Sequence, residues 1–302
     1  MYNVTEIIKN LREAADFSIK EAADFLGLGP GKYARAEAGD AQLSFWQFKS
    51  LAEAAGQDSD DYWMLFLDAK EFEEYQLLHK ARRLRSDNKL HELLEFLERH
   101  EAGLSERHPL LRQYHRFLSI DLAADMPREQ AVGELLEAMR MSREDFDESA
   151  IRNYRLTFPE SCILAAIASH VFELGDAGRA IAIAKSMIRN RLSSQTTEEE
   201  REGLFPLLYF SLANMLGNVG RHEESLAASN EGVEFCREHG NFRWIPKLLH
   251  NSAFSLRATG EGEAVYAPLL SMAYHSAFAC GLYDEGKTIK ENAGTVFGIE
   301  LE

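Results

Sequence analysis

The chain has 302 residues, with 49 acidic side chains against 33 basic ones and a formal net charge of −16 at pH 7. This length allows one or two domains with a sizeable core. The acid excess argues against a protein that coats nucleic acid, because neutralised phosphates supply most non-specific affinity. A small DNA-reading module attached to an acidic body remains possible.

Nothing in the sequence indicates a membrane or an exported protein. No apolar run reaches the roughly 18 residues that would span a bilayer. The amino-terminal residues mix acidic and basic side chains and lack the apolar stretch of a signal peptide. We therefore expect a cytoplasmic protein without membrane contact. Cys162, Cys236 and Cys280 are widely spaced among apolar residues, which predicts free thiols in a reducing compartment.

Short amphipathic helices fill the first sixty residues. Ser18 and Glu21 form a capping box for the second helix, which Gly27 ends, and Ser44 caps the fourth. Gly39 ends the third. The second and third helices are joined by a tight glycine-containing turn, which is typical of a helix-turn-helix. The four helices are expected over residues 3–15, 19–26, 30–38 and 44–56.

Helical hairpins are predicted after a linker helix at residues 62–74. Leu77, Ala81 and Leu84 are expected to face inward on the first hairpin, and Leu93, Leu94 and Leu97 on its return helix. Pro109 and Pro127 open the two helices of the second hairpin, with Leu111, Tyr114 and Leu118 inward. Residues 144–154 begin the third hairpin, and residues 193–202 form a surface loop.

Three glycines mark the turns of later hairpins. Gly175, Gly220 and Gly260 each follow an apolar helical face, with an alanine seven residues earlier that allows helices to approach closely. Their spacing is long for a 34-residue tetratricopeptide repeat, but the hairpin layout is that of this repeat. Residues 263–280 and 283–297 are expected to be amphipathic and to form an end cap.

The sequence therefore predicts an all-α protein. A helix-turn-helix domain at residues 1–61, called the head below, precedes the linker helix. A right-handed α-solenoid of tetratricopeptide-like hairpins at residues 75–302 follows, and it ends in a capping helix pair.

Residues 11–40 resemble the phage-repressor (XRE) class of helix-turn-helix domain. The matching positions are Leu11, Arg12, Ser18, Ala23, Leu26, Gly27, Tyr33, Glu37 and Gly39. The later segments 156–181, 206–226 and 245–256 resemble the peptide-sensing bacterial regulators called RRNPP, in particular their Rgg/MutR branch. The resemblance implies a homodimer, a head that binds double-stranded DNA, and a repeat domain whose concave face binds a short peptide. It also implies a structural ion pair between Arg12 and Glu37.

In the XRE class the third helix reads bases in the major groove. Its first positions here are glycine and proline, which leaves Lys32 and Arg35 to read bases, and Arg35 could bind a guanine with two hydrogen bonds. Ile19 stands where a phosphate-binding glutamine is usual. The residues assigned to DNA contact are Ser18, Lys20, Lys32, Tyr33, Arg35 and Gln42.

The charge of the head weakens this assignment. Residues 1–62 hold six basic and eleven acidic side chains, a net −5. Helix amino termini can still bind phosphates without side-chain charge. The alternative is a head kept only for dimerisation or protein contact.

A groove for an extended peptide needs side-chain amides, because they donate to and accept from one peptide unit at once. Relatives usually place asparagine at one repeated groove position, which here holds Ala166, Ser211 and Asn251. The ligand could therefore be a peptide, another small molecule or a protein. The residues assigned to ligand contact are His79, Arg82, Arg85, Phe210, Ser211, Asn214, Lys247, His250, Asn251, Phe254 and Arg257.

For Arg82 and Arg85 a second interpretation stays open, in which they are helix charges that pair with Asp87 or other nearby acids. No motif indicates catalysis: HExxH is absent, and the glycines at 27–31 lack the strand and the lysine of a phosphate loop. We expect no catalytic activity, metal or cofactor.

The leading hypothesis is a cytoplasmic, homodimeric transcription regulator that a short signalling peptide controls. The alternative is a protein-interaction or inhibitory module whose head no longer binds DNA.

Overall fold

The computed structural model describes residues 4–57, 77, 80–85, 89–100, 109–123, 125–192 and 200–301. Within these ranges the regular structure is helical, without strands. The chain separates into two compact units, Met1–His170 with Arg189–Glu198 (unit 1) and Val171–Ile188 with Glu199–Glu302 (unit 2). The predicted linker helix lies outside the described residues, and the predicted domain bounds stay a prediction.

Unit 1 begins with the four predicted helices. Ser18 Oγ accepts a hydrogen bond from the Glu21 backbone N–H at 3.2 Å, and Glu21 Oε2 accepts one from Ser18 N–H at 2.8 Å. Ser44 and Gln47 form the same capping box. These caps satisfy backbone donors that a helix start leaves open. The helices are α1 Val4–Ala14, α2 Ile19–Phe25, α3 Pro30–Ala38 and α4 Phe45–Ala54.

The head has its own apolar core, to which each of its helices contributes buried side chains. Helix α3 packs on both α1 and α2. Arg12 Nε of α1 donates to Glu37 Oε1 of α3 at 2.6 Å, and each side chain is only 12% exposed. The predicted ion pair is thus confirmed, and it joins the first and third helices.

The rest of unit 1 contains a helical stretch at 80–85, α5 Leu90–His100, α6 Pro109–Asp121 and α7 Arg128–Arg140. Most residues predicted to face inward are buried. The prediction for Leu94 was wrong: it is 36% exposed, while Phe96 is 5% exposed. The buried face of α5 follows Leu93, Phe96 and Leu97, which have the spacing of one helical face.

Residues 144–154, which were predicted to begin the third hairpin, do not form an α-helix. The segment contains turns and a 3₁₀ helix, Glu148–Asn153, whose start is capped by the Asp147 carboxylate. Arg143 lies just before the segment and pairs with the buried Glu160 at 2.9 Å. The Asp147 carboxylate accepts hydrogen bonds from Ser149. Such local side-chain bonds compete with a continuous helix.

Unit 2 contains the hairpins that the glycines mark. Gly175, Gly220 and Gly260 have φ values of 92°, 77° and 87°, the left-handed conformation that ends a helix. The division between the units falls within α8 Phe158–Glu173 and α9 Ala177–Leu192. The later helices are α10 Phe205–Asn218, α11 His222–Glu238, α12 Ile245–Ala258, α13 Glu263–Ala279 and α14 Tyr283–Asn292.

Two short elements complete this unit. A π-helical turn, Glu200–Leu204, occupies the end of the predicted surface loop, whose residues 193–199 lie outside the described ranges. A second π-helical turn, Ala293–Phe297, follows α14.

Successive helices from α10 to α14 pack on one another, and α12 also contacts α10 and α14. The helices α10, α12 and α14 therefore form one row, called the inner row below. Close packing depends on Gly232 of α11, where an added Cβ would lie 2.8 Å from Tyr209 Cβ and 3.0 Å from Leu248 Cδ2.

Of the two C-terminal helices that were predicted to be amphipathic, α13 differs from the prediction. Helix α13 carries apolar residues all round, and Val265, Met272 and Phe278 are 47%, 47% and 38% exposed. Such a face is typical of a contact surface. Among the described residues no helix is long and apolar enough to cross a bilayer.

The three cysteines carry free thiols, as predicted. Cys236 is fully buried, and burial raises the pKa of its thiol to about 12. It is therefore inert at neutral pH.

Candidate functional site

The exposed face of α3 carries the predicted base-reading side chains. Lys32 and Arg35 are both exposed on this helix, and Lys20 and Gln42 are exposed beside it. Gly29 caps the helix without a side-chain hydrogen bond. Ser18 is exposed, but its hydroxyl already serves the capping box of α2.

Tyr33 does not fit the prediction of a DNA contact. Its side chain is 0% exposed and belongs to the core of the head. Burial, followed by the nearby Glu37 carboxylate, raises the pKa of its phenol. Position 33 follows Lys32 in sequence, but its side chain points to the opposite side of the helix, so we correct this assignment.

Two of the six basic residues in the head form ion pairs within the head. Arg12 is held by Glu37, and Lys49 Nζ lies 3.2 Å from Glu53 Oε1, with side chains only 5% and 4% exposed. The cationic surface of the described head is therefore formed by Lys9, Lys20, Lys32 and Arg35.

Arg82 and Arg85 each contact an acidic side chain of the same chain. Arg82 Nη2 lies 3.5 Å from Glu53 Oε1, and its guanidinium stacks over the Phe158 ring at 4.6 Å. Arg85 Nη2 donates to Asp121 Oδ2 at 2.9 Å. These contacts agree with the second interpretation, helix charges paired with acids, although the acids are Glu53 and Asp121, and the assignment of both arginines to ligand contact stays a prediction. His79 lies outside the described residues.

The remaining predicted ligand residues all lie on the inner row of unit 2. Phe210, Ser211 and Asn214 are on α10. Lys247, His250, Asn251, Phe254 and Arg257 are on α12, where their spacing places them along one helical face. The structure therefore brings these eight residues together, and we call the surface that they form the inner-row surface.

Two amides join the helices of this surface. Asn251 Nδ2 donates to Asn214 Oδ1 at 2.8 Å. Both side chains are half-buried. This bond uses one donor of Asn251 and one acceptor site of Asn214, which leaves Asn251 Oδ1 and Asn214 Nδ2 for a ligand. A free acceptor and a free donor side by side match the N–H and C=O of one peptide unit.

Lys247 lies at the amino-terminal end of the same face. Its Nζ is 3.3 Å from Glu285 Oε2 of α14, and the two side chains are 33% and 24% exposed. The ammonium also lies 5.6 Å from the centre of the Phe210 ring and 5.5 Å from that of Trp244. The positive charge is thus held over two aromatic faces and one carboxylate.

His250 lies one turn after Lys247 and is 8% exposed. Its Nε2 is buried and makes no hydrogen bond. Burial lowers the pKa of His250, and the Glu285 carboxylate only partly opposes this shift. The imidazole is therefore neutral at pH 7 and has an unused polar atom.

The C-terminal turn contacts the carboxyl-terminal end of the inner-row surface. Arg257 Nη1 donates to the Val296 backbone carbonyl, and the Phe254 ring contacts the Phe297 ring with centroids 4.8 Å apart.

Sequence reasoning missed Trp244, Glu285 and Phe297. Trp244 precedes α12, so its contact with Phe210 could not be inferred from helical spacing. Glu285 and Phe297 reach the surface from α14 and the turn after it. Only the packing of α14 against α12 reveals them.

The arrangement suits binding. Among the residues that the structure describes, no three His, Cys, Asp or Glu side chains are placed to hold a metal ion. The inner-row surface instead combines a preset amide pair, one cation, one neutral imidazole and aromatic walls, which are the components of a polar ligand site.

Comparison with solved structures identifies the fold. PlcR of Bacillus thuringiensis, in complex with the peptide PapR7 and DNA, matches with a TM-score of 0.64 and 16% sequence identity over 95% of this chain and 98% of that chain. PlcR in its apo form matches with a TM-score of 0.60 and 16% identity, over 93% and 98%. ComR from S. thermophilus, in complex with DNA and its signalling peptide ComS, matches at 0.50 and 15%, over 98% and 100%.

The searches found no matching family model and no matching curated protein. At such low identity the structural likeness establishes the fold alone. It confirms an all-helical chain with a helix-turn-helix followed by tetratricopeptide-like hairpins, and it confirms the resemblance to RRNPP regulators at the level of fold.

Proposed function

We propose that this protein is a DNA-binding transcription regulator whose inner-row surface binds a short signalling peptide. The Asn214–Asn251 pair carries the proposal, because it presents one remaining donor and one remaining acceptor on a surface with aromatic walls. The solved structures of the same fold contain a peptide and DNA. We assign the chain no catalytic activity.

The head is proposed to belong to the XRE type and to read DNA through α3. Arg35 and Lys32 are the exposed donors on that helix. The chain is further proposed to act as a homodimer, since two half-sites on a duplex require two heads. The exposed apolar residues of α13 offer a contact face for the second copy. Peptide binding would shift the population between two arrangements of the heads, which needs only a differential affinity for them.

A gel-shift series on the DNA upstream of the protein's own gene tests the proposal. Wild type is compared with Arg35→Ala and Lys32→Ala. Arg35→Ala is expected to lose about 1–3 kcal/mol of binding and to relax sequence preference. Lys32→Ala is expected to reduce the salt slope by about 1 if it contacts a phosphate. Lys9→Ala is the control, because Lys9 is an exposed lysine on α1, which carries none of the residues assigned to DNA contact.

A second function remains a candidate because the head is acidic. Its net charge of −5 and the glycine and proline at the start of α3 favour a protein-interaction or inhibitory module whose head no longer binds DNA. Wild-type protein that binds no DNA at low salt, but captures a folded partner, would establish this alternative in place of the regulator.

A further inference from the structure

We infer that Lys247 forms a carboxylate subsite, and that Glu285 is an internal placeholder that an anionic peptide displaces. This inference rests on the proposed peptide-binding function. It adds the chemical class of the ligand: a short peptide that presents a carboxylate, either at its C-terminus or on an Asp or Glu side chain.

The Lys247–Glu285 ion pair can exchange its carboxylate for that of a ligand. Both side chains are partly exposed, at 33% and 24%, and they come from different helices, α12 and α14. Ion pairs of this exposure contribute little net stability. The aromatic faces of Phe210 and Trp244 keep the ammonium in place when its partner leaves. An incoming carboxylate can therefore replace Glu285 at little cost to the fold.

His250 supplies the second observation. Its side chain is more than nine-tenths buried, and its Nε2 has no partner. A buried polar atom without a partner is costly, and a bound water, an ion or a ligand group that completes its hydrogen bond would remove this cost. His250 lies one turn from Lys247 on the face of α12 that also carries Asn251. A carboxylate held by Lys247 would thus lie one helical turn from His250, and contact with the buried Nε2 would require a small movement of the imidazole.

The amide pair fixes where the rest of the peptide lies. Lys247 and Asn251 are four residues apart, so their side chains are neighbours on the helix surface, about 5–6 Å apart at Cβ. A peptide unit held by Asn214 and Asn251 therefore places an adjacent carboxylate within reach of Lys247. In the opposite direction along α12, the Arg257 guanidinium lies over the Phe297 ring.

The experiment uses the immobilised full-length protein and three pools of short random-sequence peptides. The first pool has free C-terminal carboxylates and no Asp or Glu. The second has amidated C-termini and contains Asp and Glu. The third is amidated and contains neither residue. The peptides retained from each pool are measured by mass spectrometry. The first two pools distinguish a terminal from a side-chain carboxylate.

One or both carboxylate pools are expected to be retained well above the neutral pool. Lys247→Gln is expected to reduce that retention at least about tenfold, the effect of losing a charge-assisted hydrogen bond. Glu285→Gln is expected to increase it about two- to fivefold, because the competing carboxylate is gone. Lys287→Gln is the matched control, since Lys287 is 69% exposed on the same helix as Glu285 and pairs with Asp284.

Equal retention of all three pools overturns the carboxylate subsite and leaves the proposed peptide function standing. The same holds if Lys287→Gln reproduces the loss seen with Lys247→Gln. If Lys247→Gln does not fold, Glu285→Gln decides, and unchanged retention overturns the subsite. Retention of no pool above an unrelated helical protein overturns the proposed function together with the subsite.

Discussion

Asn251 and Asn214 hold each other in place across the inner row, through a 2.8 Å bond between Asn251 Nδ2 and Asn214 Oδ1. The two residues are far apart in sequence, and they belong to different helices. Because the pair is preset, a bound peptide need not order these two side chains, and less conformational entropy is lost on binding.

Asn251→Ala is expected to weaken peptide binding by about 1 kcal/mol, roughly fivefold, since one hydrogen bond to the ligand and the support of Asn214 are lost together. The melting temperature should change little, because the side chain is only half-buried. Binding is measured with a labelled peptide recovered from the pools. Asn218→Ala, an exposed amide at the end of the same α10, is the control. An unchanged affinity in Asn251→Ala would discredit the amide pair as a ligand site.

Arg12→Ala is expected to destabilise the head by about 2 kcal/mol, because it leaves the Glu37 carboxylate half-buried without its partner. The guanidinium also donates to the Phe17 backbone carbonyl at 2.9 Å, which fixes the turn after α1. Urea unfolding measures the loss. Arg35→Ala removes an exposed arginine from the same domain and should leave the stability unchanged. Equal stability of the two variants would show that the ion pair is not structural.

The head could be predicted almost completely because its signals are local. Capping boxes at Ser18 and Ser44 and the glycine at 39 lie within a few residues of the helix ends that they set. The prediction for Tyr33 failed because adjacent residues on a helix point in different directions, and only the packing of α3 on α1 decides which one is buried.

For the inner-row surface, the sequence predicted which residues share a face of one helix, but it did not predict which contacts form between helices. The spacing of Lys247, His250, Asn251 and Phe254 already placed them on one face. The partner of Lys247 comes from α14, and the partner of Arg82 lies 29 residues earlier in the chain. Such contacts depend on how helices pack, for which the sequence carries no local signal. For this reason the sequence did not identify Glu53 and Asp121 as the partners of Arg82 and Arg85.

Glu53 is expected to make the protein sensitive to acid. It is buried, and although burial alone would raise its pKa, the charges of Lys49 and then Arg82 hold the pKa below its usual value. A lowered pKa in the folded state adds stability above the unfolded value of about 4.3, and that stability is lost as the pH falls towards the folded pKa.

Glu53→Gln should therefore be less stable at pH 7, where Lys49 and Arg82 lose their counter-charge. As the pH falls below ~4.5, Glu53→Gln should lose less additional stability than the wild type does. Urea unfolding at a series of pH values measures both effects. Glu13→Gln is the control, because the side chain of Glu13 is 52% exposed. Parallel curves for wild type and Glu53→Gln would contradict the assignment.

His250 should add a second dependence at milder pH. Burial lowers its pKa in the folded state more than Glu285 raises it, whereas the unfolded chain has a value near 6.5, so the unfolded state binds the proton more readily between the two values. The stabilising contribution is present above pH ~6.5 and is lost as the pH falls below it. Wild type should thus lose stability between about pH 7 and pH 5, and His250→Gln should lose less.

The interpretation of this measurement depends on the charged groups around His250. Lys247 lies on the same helix and Glu285 on α14, while α10 presents Ser211 and Asn214, which do not titrate. His275→Gln removes an exposed histidine of α13 and should keep the wild-type profile. If both variants follow the wild-type curve, His250 is already solvated, and the unpartnered Nε2 cannot serve as a ligand group. If only His250→Gln flattens the curve, the imidazole is neutral and desolvated beside Lys247, which is the state that the carboxylate subsite requires.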